Sequence, residues 1–164
     1  MRPLSASNRS ALRVLLVEDS EADATLIVHA LQAEGRLVRF HRVDSAEAFG
    51  EALLSAPWDV VVSDHRLPQF DALEALARLH ESGLDVPFIL VSGTVDEAAA
   101  IAAMKAGAHD YLMKDNLARL APAVERECAE AAQRAARRRA DAALRRSEMD
   151  LRAVMEHVPD GLLT

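Results

Sequence analysis

Apolar residues along this 164-residue chain fall into two alternating patterns. The first is short and rich in branched or aromatic residues: "LRVLLVE" (Leu12 to Glu18), "RLVRFHRV" (Arg36 to Val43), "WDVVVSD" (Trp58 to Asp64), "VPFILVS" (Val86 to Ser92) and "DYLMK" (Asp110 to Lys114). Such runs predict strands. The second has apolar positions three and four apart and predicts helices. Ala22 to Ala33 carries Leu26, Ile27, Ala30 and Leu31, and Ser45 to Leu54 carries Phe49, Leu53 and Leu54 behind a Ser45 cap. Leu73, Leu76, Ala77 and Leu79 mark a third helix; Ala98, Ile101, Ala102 and Met104 mark a fourth, closed by Gly107.

Five strands alternating with helices predict an α/β fold with a doubly wound five-stranded parallel sheet, because parallel neighbours need crossovers of this length. The first and third strands are the most uniformly apolar and belong in the centre. The second, with Arg36, Arg39, His41 and Arg42, reads as an edge. The order 2-1-3-4-5 follows. Such sheets bind ligands beyond the carboxyl ends of their strands, where the winding reverses. Those ends offer Glu18 and Asp19, then Asp64, then Ser92 with Thr94 beyond it, then Lys114. Asp19, Ser20, Asp64 and Thr94 could instead be caps of the helices that follow.

Taken jointly, the strand ends are chemically complementary. Glu18, Asp19 and Asp64 would repel one another without a cation between them. Oxygen ligands without histidine or cysteine suit a hard, partly hydrated ion, so the trio reads as a Mg²⁺ site. Lys114 offers a point charge and Ser92 a hydroxyl for the oxygens of a phosphoryl group placed on one of the acids. The chemistry implied is phosphoryl transfer to a carboxylate.

The ordered pattern "VLLVEDS … VVSDHRLP … ILVSGT … GAHDYLMKD" resembles the receiver domain of two-component response regulators, a flavodoxin-like fold, over about residues 11 to 120. The resemblance implies that Asp64 accepts phosphate from a histidine kinase or a phosphotransfer protein. It also implies that Glu18, Asp19, Asp64 and the backbone carbonyl of Arg66 hold Mg²⁺, and that the domain catalyses its own phosphorylation and hydrolysis. Ser92 becomes the switch hydroxyl, Lys114 the lysine that meets the phosphoryl group, and Tyr111 an aromatic switch. Read from the residues alone, Tyr111 is a half-buried strand aromatic with a wet hydroxyl. The Arg66 side chain either contacts phosphoryl oxygens or is solvated. Two positions depart from the family pattern: Asp115 follows Lys114 where a cis-proline is usual, and Ala72 stands where glycine is common. His29, His41, His80, His109 and His157 have no companion at ligand spacing and read as surface or packing residues.

Composition changes after Pro122 to alanine, arginine and glutamate, predicting a short turn at Asn116 to Arg119 and a helix from about Ala121 or Pro122 to Val158. Leu144, Leu151 and Val158 recur seven apart, with Val154 between, as in a coiled-coil seam that would make a homodimer. The end, "SEMDLRAVMEHVPDGLLT", resembles the linker and opening of a PAS sensor domain. The expected layout is an N-terminal tail (1–10), a receiver (11–120), a helical linker (121–158) and the start of a truncated PAS domain (159–164). A histidine kinase or cyclic-dinucleotide enzyme would then lie beyond.

Charge narrows the partners. The net charge of -7 argues against direct nucleic-acid binding. It is concentrated in residues 1–115, with 10 basic and 18 acidic side chains, whereas residues 116–164 hold 9 and 8. The single cysteine, Cys128, allows no intrachain disulfide and fits a reducing cytoplasm. No apolar run is long enough to span a membrane. Two other readings remain open: a Mg²⁺-dependent phosphohydrolase forming an aspartyl phosphate, or a stand-alone phosphotransfer shuttle. The hydrolase usually places an acid-base aspartate two residues after the nucleophile, where this chain has Arg66.

Overall fold

A computed structural model describes residues 10–156. The elements run β1 (Leu12–Val17), α1 (Glu21–Leu31), β2 (Val38–Val43), α2 (Ala46–Ser55), β3 (Val60–Asp64), α3 (Ala72–Ser82), β4 (Phe88–Ser92), α4 (Glu97–Lys105), β5 (Asp110–Met113) and α5 (Leu120–Glu156). Short 3-10 turns occupy Ala33–Gly35 and Lys114–Arg119. The tail through residue 9, His157, the helix end expected at Val158 and the PAS-like residues 159–164 lie outside the described residues.

The five strands form one parallel sheet in the expected order, β2-β1-β3-β4-β5. Register decides what emerges at the carboxyl edge. Val17 lies opposite Ser63, so Glu18 comes out beside Asp64; Ser92 lies opposite Met113, so Lys114 follows one residue later. Both faces of the sheet are covered, which is why its central strands read as unbroken apolar runs. Leu15, Val17, Val61, Phe88 and Leu90 pack with Phe49, Leu53, Leu76 and Leu79 from α2 and α3. Val14, Leu16, Val60, Val62, Ile89 and Val91 pack with Ile27 and Leu31 from α1 and with Leu120 and Val124 from α5. Each fully buried aliphatic side chain contributes roughly 1.5–3 kcal/mol relative to exposure. β2 is one of the two edge strands, its Arg39, Phe40 and His41 exposed.

Several helical positions face the other way from the sequence expectation. In α3 the buried face is Ala72, Ala75, Leu76 and Leu79, while Leu73 and Ala77 are exposed. Leu26 of α1 and Leu54 of α2 also point outward. The largest correction is α4: Ala98, Ile101, Ala102 and Met104 are all exposed and Ala103 is its one buried residue. A run of alanines and two large apolar residues does not define a phase, and the less exposed positions, Ala99, Ala100 and Ala103, lie on the opposite side of the helix from the face that the spacing predicts. Gly107 does end this helix, at φ +109° just past the Ala106 cap. No helix of the described residues is long and apolar enough to cross a membrane.

The chain divides into two units, one through Cys128 and one from Ala129. The first includes the opening turns of α5, whose Leu120, Ala123 and Val124 are core residues. In the second, Leu144, Met149, Leu151, Val154 and Met155 are exposed along the helix.

Candidate functional site

The carboxyl edge of the sheet gathers the acidic side chains around one ammonium. Glu18 follows β1 and is fully buried, its backbone N–H donating to the Val43 carbonyl at 3.0 Å. The Arg42 guanidinium donates to the Glu18 carbonyl at 3.2 Å and so pins this turn from β2. Asp64 ends β3, and its carboxylate is divided between two donors. The His65 N–H donates to Oδ1 at 2.7 Å and Lys114 Nζ donates to Oδ2 at 3.2 Å. Lys114 also lies 3.1 Å from Glu18 Oε2 and 2.7 Å from Asp23 Oδ2.

Of the four residues that could have been helix caps, only Ser20 is one. Its Oγ accepts from the Asp23 N–H at 3.2 Å, whereas Asp71 caps α3 and Asp96 caps α4. Asp19, Asp64 and Thr94 are thereby released from that role. Oxygens of Glu18, Asp19 and Asp64 lie within 4.8 Å of one another, so the trio can hold a metal ion. Glu18 Oε2 is buried, and its neighbour is the Lys114 ammonium at 3.1 Å in an ion pair without good hydrogen-bond geometry, so this oxygen keeps acceptor capacity that a metal ion could share.

The electrostatics follow from this crowding. Burial pushes the Glu18 carboxyl up to about 7; the Ser20 N–H on Oε1 opposes the rise, the Asp64 charge adds to it, and Lys114 opposes it again. Burial of the Lys114 ammonium works against its charge, yet Asp23, Glu18 and Asp64 together raise its pKa above the ordinary lysine value. Lys114 is therefore a fixed cation at any physiological pH.

The remaining sequence candidates are placed as follows. Ser92 is buried at the end of β4, its hydroxyl donating to the Thr94 carbonyl at 2.9 Å and accepting the Thr94 N–H at 3.2 Å. It is closed on its own loop rather than on Asp64. Tyr111 packs partly buried against the α2–α3 side of the core, and its hydroxyl is buried without a hydrogen-bond partner, which corrects the expectation of a wet hydroxyl. The Arg66 side chain is exposed and makes no hydrogen bond or ion pair among the described residues. Ala72, in place of the family's usual glycine, is a buried first residue of α3 behind the Asp71 cap. The Lys114–Asp115 bond is not cis, nor is any other among the described residues. His80 packs on Gly107, His109 Nδ1 accepts the Phe88 N–H at 3.0 Å, and His41 stacks on Trp58, so these three do structural work. Asp23, the partner nearest to Lys114, escaped the reading of strand ends because it lies inside a helix; its signal is an acid one turn after the Glu18-Asp19 pair.

The carboxyl edge of a parallel sheet thus carries an acidic trio and one lysine. The model of the response regulator receiver domain matches residues 14–125, more than half of the chain, and the protein belongs to that family. Among curated relatives, a C4-dicarboxylate transport transcriptional regulatory protein of Pseudomonas aeruginosa is 35% identical over 102 residues, 62% of this chain and 22% of its own. The transcriptional regulatory protein FixJ of Rhizobium meliloti is 34% identical over 101 residues, 62% of this chain and 48% of its own. This chain thus spans about a fifth and about half the length of those two relatives. The solved FixJ N-terminal domain is 31% identical with a TM-score of 0.63, covering 73% of this chain and 94% of that one.

Proposed function

We propose that the chain is a phospho-accepting receiver in which Asp64 takes a phosphoryl group from a histidine kinase or phosphotransfer protein. The observation that carries this reading is the divided Asp64 carboxylate, one oxygen on the His65 N–H and the other on Lys114, facing Glu18 and Asp19. An Asp64 oxygen attacks phosphorus, forming the new O–P bond as the bond to the donor nitrogen breaks and the imidazole departs. Lys114, already bonded to Asp64, transfers that contact to a phosphoryl oxygen. Glu18, Asp19, Asp64 and the Arg66 carbonyl would hold Mg²⁺. When bound, the ion supplies charge neutralisation for the transferring group.

The phosphoryl group brings close to two negative charges and three acceptor oxygens to the β3 end. Ser92 leaves its Thr94 loop to meet them, and Tyr111, whose hydroxyl has no partner to lose, takes the vacated space. The change is relayed through α5, as a homodimer, to a PAS-type domain and an effector beyond. The exposed Leu144 and Leu151, seven residues apart, support that dimer seam.

Incubation with acetyl phosphate and Mg²⁺ tests the reading by intact and peptide mass. We expect one added phosphoryl group on Asp64, lost in Asp64→Asn. Label on another residue, or none on the wild type, refutes it.

A further inference from the structure

Lys114 has three ammonium protons and three carboxylates within reach, and the shortest contact goes to a residue with no part in the proposed transfer. Asp23 Oδ2 lies 2.7 Å from Nζ, against 3.1 Å for Glu18 and 3.2 Å for Asp64. Asp23 sits in the first turn of α1, its own N–H fixed by Ser20 Oγ at 3.2 Å. The helix start therefore sets where this carboxylate stands. Its side chain is also 37% exposed, whereas Glu18 is fully buried, so water can solvate Asp23 if the lysine leaves.

We propose that Asp23 is a positioning residue that restrains phosphorylation of Asp64 by drawing the Lys114 ammonium toward α1. The inference rests on the receiver reading above. When Asp64 forms its O–P bond to an acyl phosphate donor and acetate leaves, the new phosphoryl oxygens need the charge of Lys114. A proton committed to Asp23 is withheld from them. With asparagine at 23, Glu18 and Asp64 still hold the lysine in place, but its charge is shared between two carboxylates instead of three. Loss of one acid also lessens the repulsion that an anionic donor meets. Both effects favour phosphorylation. An Asp23 that only anchored Lys114 would have the opposite sign, since its removal would misplace the lysine and slow transfer.

The test is phosphorylation of the full chain across a range of acetyl phosphate concentrations at constant Mg²⁺. Asp23→Asn lowers the half-saturating donor concentration about three- to fivefold, the scale of one half-exposed ion pair. Asp23→Glu, which keeps the charge, stays within twofold of wild type. An unchanged or raised half-saturation in Asp23→Asn overturns the inference, as does Asp23→Glu behaving like Asp23→Asn. A wild type that takes no label on Asp64 overturns the receiver reading itself and this inference with it. A labelled wild type beside an unresponsive Asp23→Asn overturns the inference alone.

Discussion

Replacing Lys114 by methionine, which keeps length and removes charge, tests whether the acidic edge depends on this one ammonium. Lys114 touches Glu18, fully buried, Asp64, whose side chain is 14% exposed, and Asp23, 37% exposed. Removing one partner of a fully buried ion pair costs about 3–5 kcal/mol, because the other charge is left behind without compensation. The Asp23 pair is screened by solvent and adds at most about 1 kcal/mol. Lys114 itself is 19% exposed, which brings the whole below the fully buried range, to about 2–3 kcal/mol. For a unit of this size that is a fall in Tm of roughly 6–12 °C. Mg²⁺ at ten times its Kd would return about 1.4 kcal/mol. The gain should be larger in Lys114→Met than in wild type, since the variant's carboxylates meet the ion with no ammonium competing for them. Urea and thermal unfolding with and without MgCl2 measure both quantities. A variant within 0.5 kcal/mol of wild type in the absence of Mg²⁺, or an equal Mg²⁺ gain in the two proteins, would refute the reasoning.

Two further outcomes follow from packing away from the site. Gly107 takes φ +109°, so Gly107→Ala should cost about 2 kcal/mol through the backbone; the His80 imidazole that the new Cβ would meet at 2.6 Å is the exposed far end of a side chain and can swing aside, so His80→Ala in the same chain should recover little, and full recovery in urea unfolding would contradict this. Burial, helped by the nearby Asp59 charge, pushes the Cys128 thiol from its ordinary 9.0 up to about 11. Below pH 9.0 both folded and unfolded chains keep the proton; from there to about 11 only the unfolded chain releases it, so stability falls across that window. Alkylation of Cys128 at pH 8 should accordingly be far slower in the folded protein than in urea, and equal rates would count against the burial argument.

The candidate residues at strand ends were readable because the sheet's topology dictates where they must emerge. Glu18, Asp64 and Lys114 needed only five apolar runs and a parallel order to be brought together. Asp23 was invisible to that logic, since α1, not the sheet, delivers it. The outward face of α4 was hidden for another reason: six of the residues from 97 to 106 are alanine, compatible with either side of a helix. At the tail, composition turns polar and charged after Pro122, yet Ala123 and Val124 are buried against the sheet. Two small apolar residues among charges leave almost no signature, although they seal one face of the core.

The same α4 sets the cost of rearranging the fold. With Ala103 as its one fully buried residue and Ala99 and Ala100 partly buried, the helix contributes only small side chains to the burial that holds the domain together, where α3 buries four residues. Shifting α4 would thus forfeit little transfer free energy, while Val95, Ile101 and Met104 stand exposed on and beside it. The helix that follows Ser92 is thus lightly anchored, so the proposed departure of the Ser92 hydroxyl from the Thr94 loop would work against a light load.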